Sequence, residues 1–370
     1  MKRPLAALAA AALAALASAL PIYAFPPQTS VAANAVAWLH TQQAADGTVA
    51  GNASRTEETV WGLIANKLTV ADFSTSGKTP IDSLRTHLAD EEKSAGNIGS
   101  LVMAVSAAGL DATSFGGRNL LQDLQCTYNP QTGGYNTQLF NDALAVLALP
   151  AGAAPAKAKA LLASQQQADG GWEFQAGFGT DTNTTALVLM ALVSSDGLDS
   201  TVKDRALAYF KLHQKPSGGF EYSDPFAPPG DSDPNSDALV IEALLATGED
   251  PTAAKWSVVD GDSNAVTDLL TFRYQNGGFG FNRPGSAATA APDAASTTQA
   301  LPALAAAFLP VKRTTGVMPT SCPVTATTPS PTAVPVPAPS QLAPTGSSPI
   351  GALVGLVLIV LGWRLRRRVA

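Results

Sequence analysis

Three short stretches place a carboxylate immediately ahead of an apolar run. They are Asp181-Thr182-Asn183-Thr184-Thr185-Ala186, Asp233-Pro234-Asn235-Ser236-Asp237-Ala238 and Asp293-Ala294-Ala295-Ser296-Thr297-Thr298. A carboxylic acid held at the edge of an apolar cavity is what general acid chemistry requires. Asp, Asn, Ser and Thr ahead of a helix are also N-cap residues, each worth about 1 kcal/mol. A site follows only if several such helix starts gather at one end of the molecule. Their dipoles and polar side chains would then line the mouth of a pocket.

Aromatic pairs recur beside these stretches: Trp172 and Phe174, Phe220 and Tyr222, Phe279 and Phe281. Both members can pack between helices. Alternatively the second member faces the mouth, so that Phe174, Tyr222 and Phe281 form an apolar rim over Asp181, Asn183, Asp233 and Asn235. The Pro-rich SDPFAPPGDSD from Ser223 would shape its edge. Other chemistry is sparse. His40, His87 and His213 fall in predicted outer helices, and neither cysteine lies beside one at ligand spacing, so no metal site is expected. No cofactor is evident, and Asp260-Gly261-Asp262 reads as a turn. The net charge of −6, with no basic stripe outside the C-terminal tail, argues against a nucleic-acid partner.

A repeat positions these residues. Each unit reads as a helix, a glycine turn, a variable loop and a second apolar helix. The fourth unit is AKAKALLASQQQADGGWEF then GFGTDTNTTALVLMALVSS; the fifth is DRALAYFKLHQKPSGGFEY then DSDPNSDALVIEALLATG; the sixth is AVTDLLTFRYQNGGFGF then APDAASTTQALPALAAAF. The first turn is QQAADGTV and the third NPQTGGY, and a degenerate second unit lacks the aromatic. In the turn, Gly170-Gly171, Gly218-Gly219 and Gly277-Gly278 permit a tight reversal where a Cβ would clash. Trp172, Phe220 and Phe279 pack over it. Gln166, with Gln43 and Gln214, can bond backbone groups left open at helix ends. Arg273 stands at the Gln position of the sixth unit and Asn129 at that of the third.

Six units give twelve helices. The second helix of each pair, such as ALVLMAL, is apolar on nearly every side and must be buried all round. The first helices place Lys157, Lys159, Arg205 and Lys211 on a wet face. The expectation is an all-α body, a closed (α/α)6 toroid over 31–310. An open solenoid is disfavoured because six units close a ring, no polar capping helix occurs and the body stops after the sixth.

Gln-x-x-Asp-Gly-Gly-Trp ahead of an inner helix, repeated around six pairs, resembles the terpene cyclase and protein prenyltransferase superfamily of α/α toroids. Squalene-hopene cyclase-like proteins, cobalamin carriers and complement thioester domains share that shape. The resemblance implies the fold, whereas the activities differ among members. Squalene-hopene-type cyclases protonate an alkene with the central acid of Asp-x-Asp-Asp-Thr-Ala. The matching stretch here has Asn183 and Thr184 at those positions, and an amide cannot protonate an alkene. The catalytic members also carry a second barrel. Prenyltransferase zinc ligands and the thioester segment are absent, with Cys126 in Leu124-Gln125-Cys126-Thr127. Cobalamin carriers need only a lined rim, so a corrinoid stays open as a ligand.

The ends read as export and anchoring segments. Lys2, Arg3 and the apolar run to Leu20 form a signal peptide over 1–24. Residues 311–348 are Pro/Thr/Ser-rich and read as a disordered stalk. Leu342-Ala343-Pro344-Thr345-Gly346, an apolar helix over 349–370 and a basic tail resemble a sorting signal. Sortase would by that resemblance cut between Thr345 and Gly346; a simple transmembrane tail anchor is the other reading. Cys126 and Cys322 either tie the stalk base to the body or stay unpaired. The expected protein is a secreted, surface-anchored toroid that binds a small apolar or isoprenoid ligand, a corrinoid or a surface protein. A cyclase-like enzyme with a relocated acid, Asp181 or Asp233, is the alternative; a structural display protein is the third.

Overall fold

A helix that is apolar on all sides needs neighbours on all sides, and a ring of such helices is satisfied only when it closes. The computed structural model describes residues 25–88, 94–135, 138–222, 231–258 and 262–322. The signal peptide, the stalk from 323 onward, the sorting motif, the anchor, Asp260 and most of the SDPFAPPGDSD loop lie outside the described residues. Twelve α-helices are described: α1 (Thr29–His40), α2 (Ala53–Ala65), α3 (Pro80–Thr86), α4 (Ala95–Ala107), α5 (Leu120–Thr127), α6 (Leu139–Leu147), α7 (Ala156–Ser164), α8 (Thr182–Ser194), α9 (Ser200–His213), α10 (Pro234–Ala246), α11 (Ala265–Thr271) and α12 (Ala294–Leu304). The even-numbered helices pack each on the next, and α12 returns to α2. Leu301 of α12 sits where a Cβ on Gly62 of α2 would be, and Asn66 Nδ2 donates to the Leu301 carbonyl at 3.0 Å. The ring is closed, and no helix long and apolar enough to cross a membrane occurs among the described residues.

The glycine turn is what joins one unit to the next. Gly47, Gly133, Gly170, Gly218 and Gly277 all adopt positive φ. A Cβ on Gly170 would lie 2.3 Å from the carbonyl oxygen of Arg205 in α9, and one on Gly277 would lie 2.5 Å from that of Asn34 in α1. Each first glycine thus lets a turn touch the backbone of the following outer helix, and the sixth turn lands on the first. The glutamine clips this contact. Gln166 Nε2 donates to Gly170 O and to Val202 O, both at 2.9 Å; Gln214 Nε2 does the same to Gly218 O at 2.9 Å and Trp256 O at 2.6 Å. In the third unit the alignment needs one correction. Asn129 N donates to Gly134 O as Gln167 N does to Gly171 O, so Asn129 is the counterpart of Gln167, not Gln166. NPQTGGY has one extra turn residue, and the glutamine position is held by Tyr128, whose ring lies 5.0 Å from that of Tyr135.

Trp172, Phe220 and Phe279 are fully buried under the turn. Their amides donate inward, to Thr185 Oγ1 at 2.9 Å, Asp237 Oδ1 at 2.6 Å and Thr297 Oγ1 at 2.9 Å. Each acceptor stands four residues beyond the N-cap of an inner helix, so in these three units the turn is tied to the inner helix at the same register. The position accepts threonine or aspartate because either offers an oxygen at that distance.

Residues 311–322 do not behave as stalk. Beyond α12 the chain crosses the end of the ring where the inner helices finish. Arg313 Nη1 donates to Ser194 O at the end of α8, Ser106 Oγ at the end of α4 donates to Thr314 Oγ1 at 3.1 Å, and Gln122 Nε2 in α5 donates to Ser321 O at 2.7 Å. A disulfide between Cys126 and Cys322 then fastens this strap to α5. Composition suggested an extended stalk, but Thr314 is buried and its hydroxyl paired. Through Arg313 the strap satisfies an open carbonyl at the end of α8.

Candidate functional site

The inner helices run parallel, so their N-termini share one end of the ring. Asn52, Ser94, Asp181, Asp233 and Asp293 each cap an inner helix through a side-chain oxygen. The residue four beyond the cap faces the glycine turn. At 100° per residue, those two, six and nine beyond it face the ring axis. Their exposure follows that register in part, with Leu139, one beyond its cap, also at 9 % and Leu187, six beyond, at 2 %. Trp61, Glu58, Phe140, Leu144 and Leu239 keep 8–9 % of their surface, whereas flanking residues such as Val60, Ala143, Ala145 and Val240 keep none. Outer helices cover the other side, so what surface these residues keep faces the centre of the ring. Nine positions beyond the cap, Met103, Leu147, Met190 and Glu242 are closed off and form the floor, while Trp61 at the same register keeps 8 %.

Two carboxylates mark the lumen. Glu58 of α2 pairs with Arg55 at 2.8 Å and accepts from Thr298 Oγ1 and from Gln299 Nε2 of α12, the latter at 3.3 Å. Burial raises the Glu58 carboxyl, and Arg55 opposes that. Glu242 of α10 is pushed well above the usual carboxylate range, first by burial and further by the Glu58 charge, while the Leu309 amide of the strap opposes the shift. Glu58 and Glu242 stand six and nine residues beyond their caps, so helix register turns both toward the ring axis. Glu242 Oε2 is buried and has no partner. The six inner helices contain a single basic residue, Arg55, already paired.

The residues nominated from the sequence fall into two groups. Asn183 and Asn235 occupy the second position beyond the cap and are buried, each 4 % exposed. Asp181 and Asp233 are buried caps: Asp181 Oδ1 accepts from Thr184 N at 2.6 Å, and Asp233 accepts from Tyr222, Asn235 and Ser236. Phe174 packs on the lumen residue Phe140, with ring centroids 5.7 Å apart. Tyr222 is half-buried, and its backbone amide donates to Asp233 Oδ2. Phe281 is 38 % exposed, with its amide on Asp293 Oδ2 at 2.8 Å. Glu58, Trp61 and Glu242 escaped the sequence reading. Glu242 was visible as the lone charge inside ALVIEALLA, which a wheel anchored on the cap assigns to the axis.

A cavity of about 640 Å³ opens between the third and fourth units and is lined by Asn129, Tyr135, Asp142, Gln165, Gln167 and Glu173, among others. At this junction Leu161 occupies the place held by Tyr209 and Trp38 against the second glycine of later turns. The smaller side chain leaves the gap.

Solved structures show what this arrangement is similar to. The type II terpene cyclase MstE from Scytonema, solved with its product merosterolic acid A, superposes with a TM-score of 0.55 at 17 % identity, over 75 % of this chain and 96 % of that one. The fold is the α/α toroid of the terpene cyclases. The same cyclase with its substrate geranylgeranyl dihydroxybenzoate gives the same score and coverage. ent-Copalyl diphosphate synthase from Streptomyces platensis matches with a TM-score of 0.50 at 16 % identity, over 69 % of this chain; the chain spans 50 % of that enzyme. No protein-family model and no curated protein matches the sequence. One expectation needs correcting here. A toroid of this length accounts for nearly all of the MstE chain, so a second barrel is not required of a cyclase in this fold.

Proposed function

We propose that the chain is a binding module of the cell surface, exported by its N-terminal segment and held by its C-terminal one through sortase or as a membrane tail. Its lumen takes a small, chain-shaped apolar ligand of the isoprenoid class. What supports this reading is the set of apolar side chains that helix register turns toward the ring axis, Trp61, Phe140, Leu144, Leu187 and Leu239 with a few polar groups, the composition expected of a small-molecule site. The neighbours solved with isoprenoid-derived substrate and product support the choice of class. A corrinoid is disfavoured, since a macrocycle bearing many amides needs a wide polar rim. Binding is favoured over catalysis because Asp181 and Asp233, the relocated acids a cyclase would use, are engaged as helix caps.

Native mass spectrometry of the protein purified from its own host tests the reading. A retained molecule of isoprenoid composition, released unchanged and lost in Leu239→Trp, is the expected result. Leu239→Trp fills the lumen without touching the outer layer. A bare mass after exposure to lipid extracts, or retention unaffected by Leu239→Trp, would overturn it.

A further inference from the structure

An apolar ligand needs its polar end accommodated as well as its tail, and the lumen's charges say which end it can hold. Of the carboxyl groups on the inner helices, Glu58 and Glu242 fall on the axis-facing register, against the single cation Arg55. Arg55 is spent on Glu58. An anionic head such as a diphosphate would enter this ring with no free counter-charge and lose its hydration. At the floor, Glu242 Oε2 is buried without a hydrogen-bond partner, as are Trp61 Nε1 and Asn235 Oδ1 at other axis-facing positions. A native structure rarely leaves such an atom unpaired without a use for it.

We infer that the lumen is selective for an uncharged isoprenoid, an alcohol or carbonyl compound, whose oxygen accepts a hydrogen bond from the carboxylic acid of Glu242 at the floor. This rests on the binding reading above and adds the chemistry of the head group and its orientation, head inward and tail toward the mouth. Burial raises the Glu242 carboxyl and so favours the protonated form that can donate, and the titratable group facing it is Glu58, with Arg55 behind. A carbonyl or hydroxyl oxygen supplies the missing acceptor; a second carboxylate or a phosphate would instead add charge beside Glu58.

The test is competition photolabelling of the full chain in nanodiscs, with a diazirine analogue of geranylgeraniol as label. Geranylgeraniol and geranylgeranyl diphosphate are the competitors, and empty nanodiscs the partition control. The expected result is displacement by the alcohol at least tenfold more effective than by the diphosphate. Glu242→Leu should weaken the alcohol roughly tenfold, the scale of one buried hydrogen bond, whereas Glu242→Gln, which keeps a donor, stays within about threefold. Equal or better displacement by the diphosphate, or a Glu242→Leu variant that binds the alcohol as wild type does, would overturn the inference and leave the binding reading standing. If the label is not displaced by either competitor, both readings fall together.

Discussion

Replacing Gly170 with alanine tests whether the glycine turns hold the ring together. Gly170 has φ +96°, and a Cβ there would lie 2.3 Å from Arg205 O and 2.9 Å from Arg205 C in the next outer helix. Gly248, just past the end of α10, has φ +80° with nothing within 4 Å of such a Cβ. Both substitutions incur the left-handed strain of an L-residue, roughly 1–2 kcal/mol. Only Gly170→Ala adds a clash with main chain, which cannot rotate away as a side chain can. Overpacking of that kind costs roughly 1–3 kcal/mol more, for a total of roughly 2–5 kcal/mol against 1–2 for Gly248→Ala. For a body of this size each kcal/mol lowers the melting temperature by roughly 2 °C. Thermal and urea melts of the two variants should therefore differ by several degrees. Hydrogen exchange should rise at the junction of α8 and α9 in Gly170→Ala alone. Equal melting temperatures would refute the reasoning, because the whole difference rests on the contact with the next unit.

Other perturbations follow from the same contacts. Cys126→Ser with Cys322→Ser opens a closure of 196 residues, whose loop entropy sets a ceiling of about 5 kcal/mol; urea melts should shift, and exchange should rise first in 306–322. Gln214→Leu removes the donor to Gly218 O and Trp256 O and should cost roughly 1–3 kcal/mol in denaturant titration. Exposed Gln165→Leu should change stability by less than about 0.5 kcal/mol. Asp237 is pushed well above the carboxylate range, first by burial and then by Asp268. It stays protonated in the fold where the unfolded chain ionises, so its contribution to stability declines as pH rises from the ordinary carboxylate range through its raised value. Asp237→Asn, whose Oδ1 can still accept from Phe220 N, should melt above wild type at pH 8, with the gap shrinking toward pH 4. A pH-independent gap would contradict this.

Much of the fold was legible because repetition multiplies a weak signal. A single QQQADGGWEF is a turn, but the same spacing of glutamine, glycines and aromatic in successive units demands one geometry. The structure supplies it in the contacts of Gly170 and Gly277 with the following outer helix. The register of the third unit was misread because NPQTGGY is one residue longer, and hydrogen bonding rather than alignment places Asn129. The strap was invisible for a different reason. Residues 311–322 look like their Pro/Thr-rich continuation, and nothing local announces that Arg313 and Thr314 will meet helix ends contributed by residues 119 and 208 positions away. Asn183 and Asn235 could be placed from their distance to the cap. Asp181 and Asp233 were ambiguous, since cap and acid use the same residue type, and only their amide donors decide between them. The lumen carboxylates were missed because a charge such as Glu58 in TEET reads as a wet helix face until the ring turns that face inward.

The central claim is that the ring has a ligand-binding lumen entered from the capped end. A crystal structure of the protein with geranylgeraniol tests it most directly. Continuous ligand density along the axis between Trp61, Phe140, Leu144 and Leu239, ending at Glu242, is the result this account expects. Density confined to the cleft between the third and fourth units, or a lumen closed by its own side chains with the alcohol unbound, would contradict it.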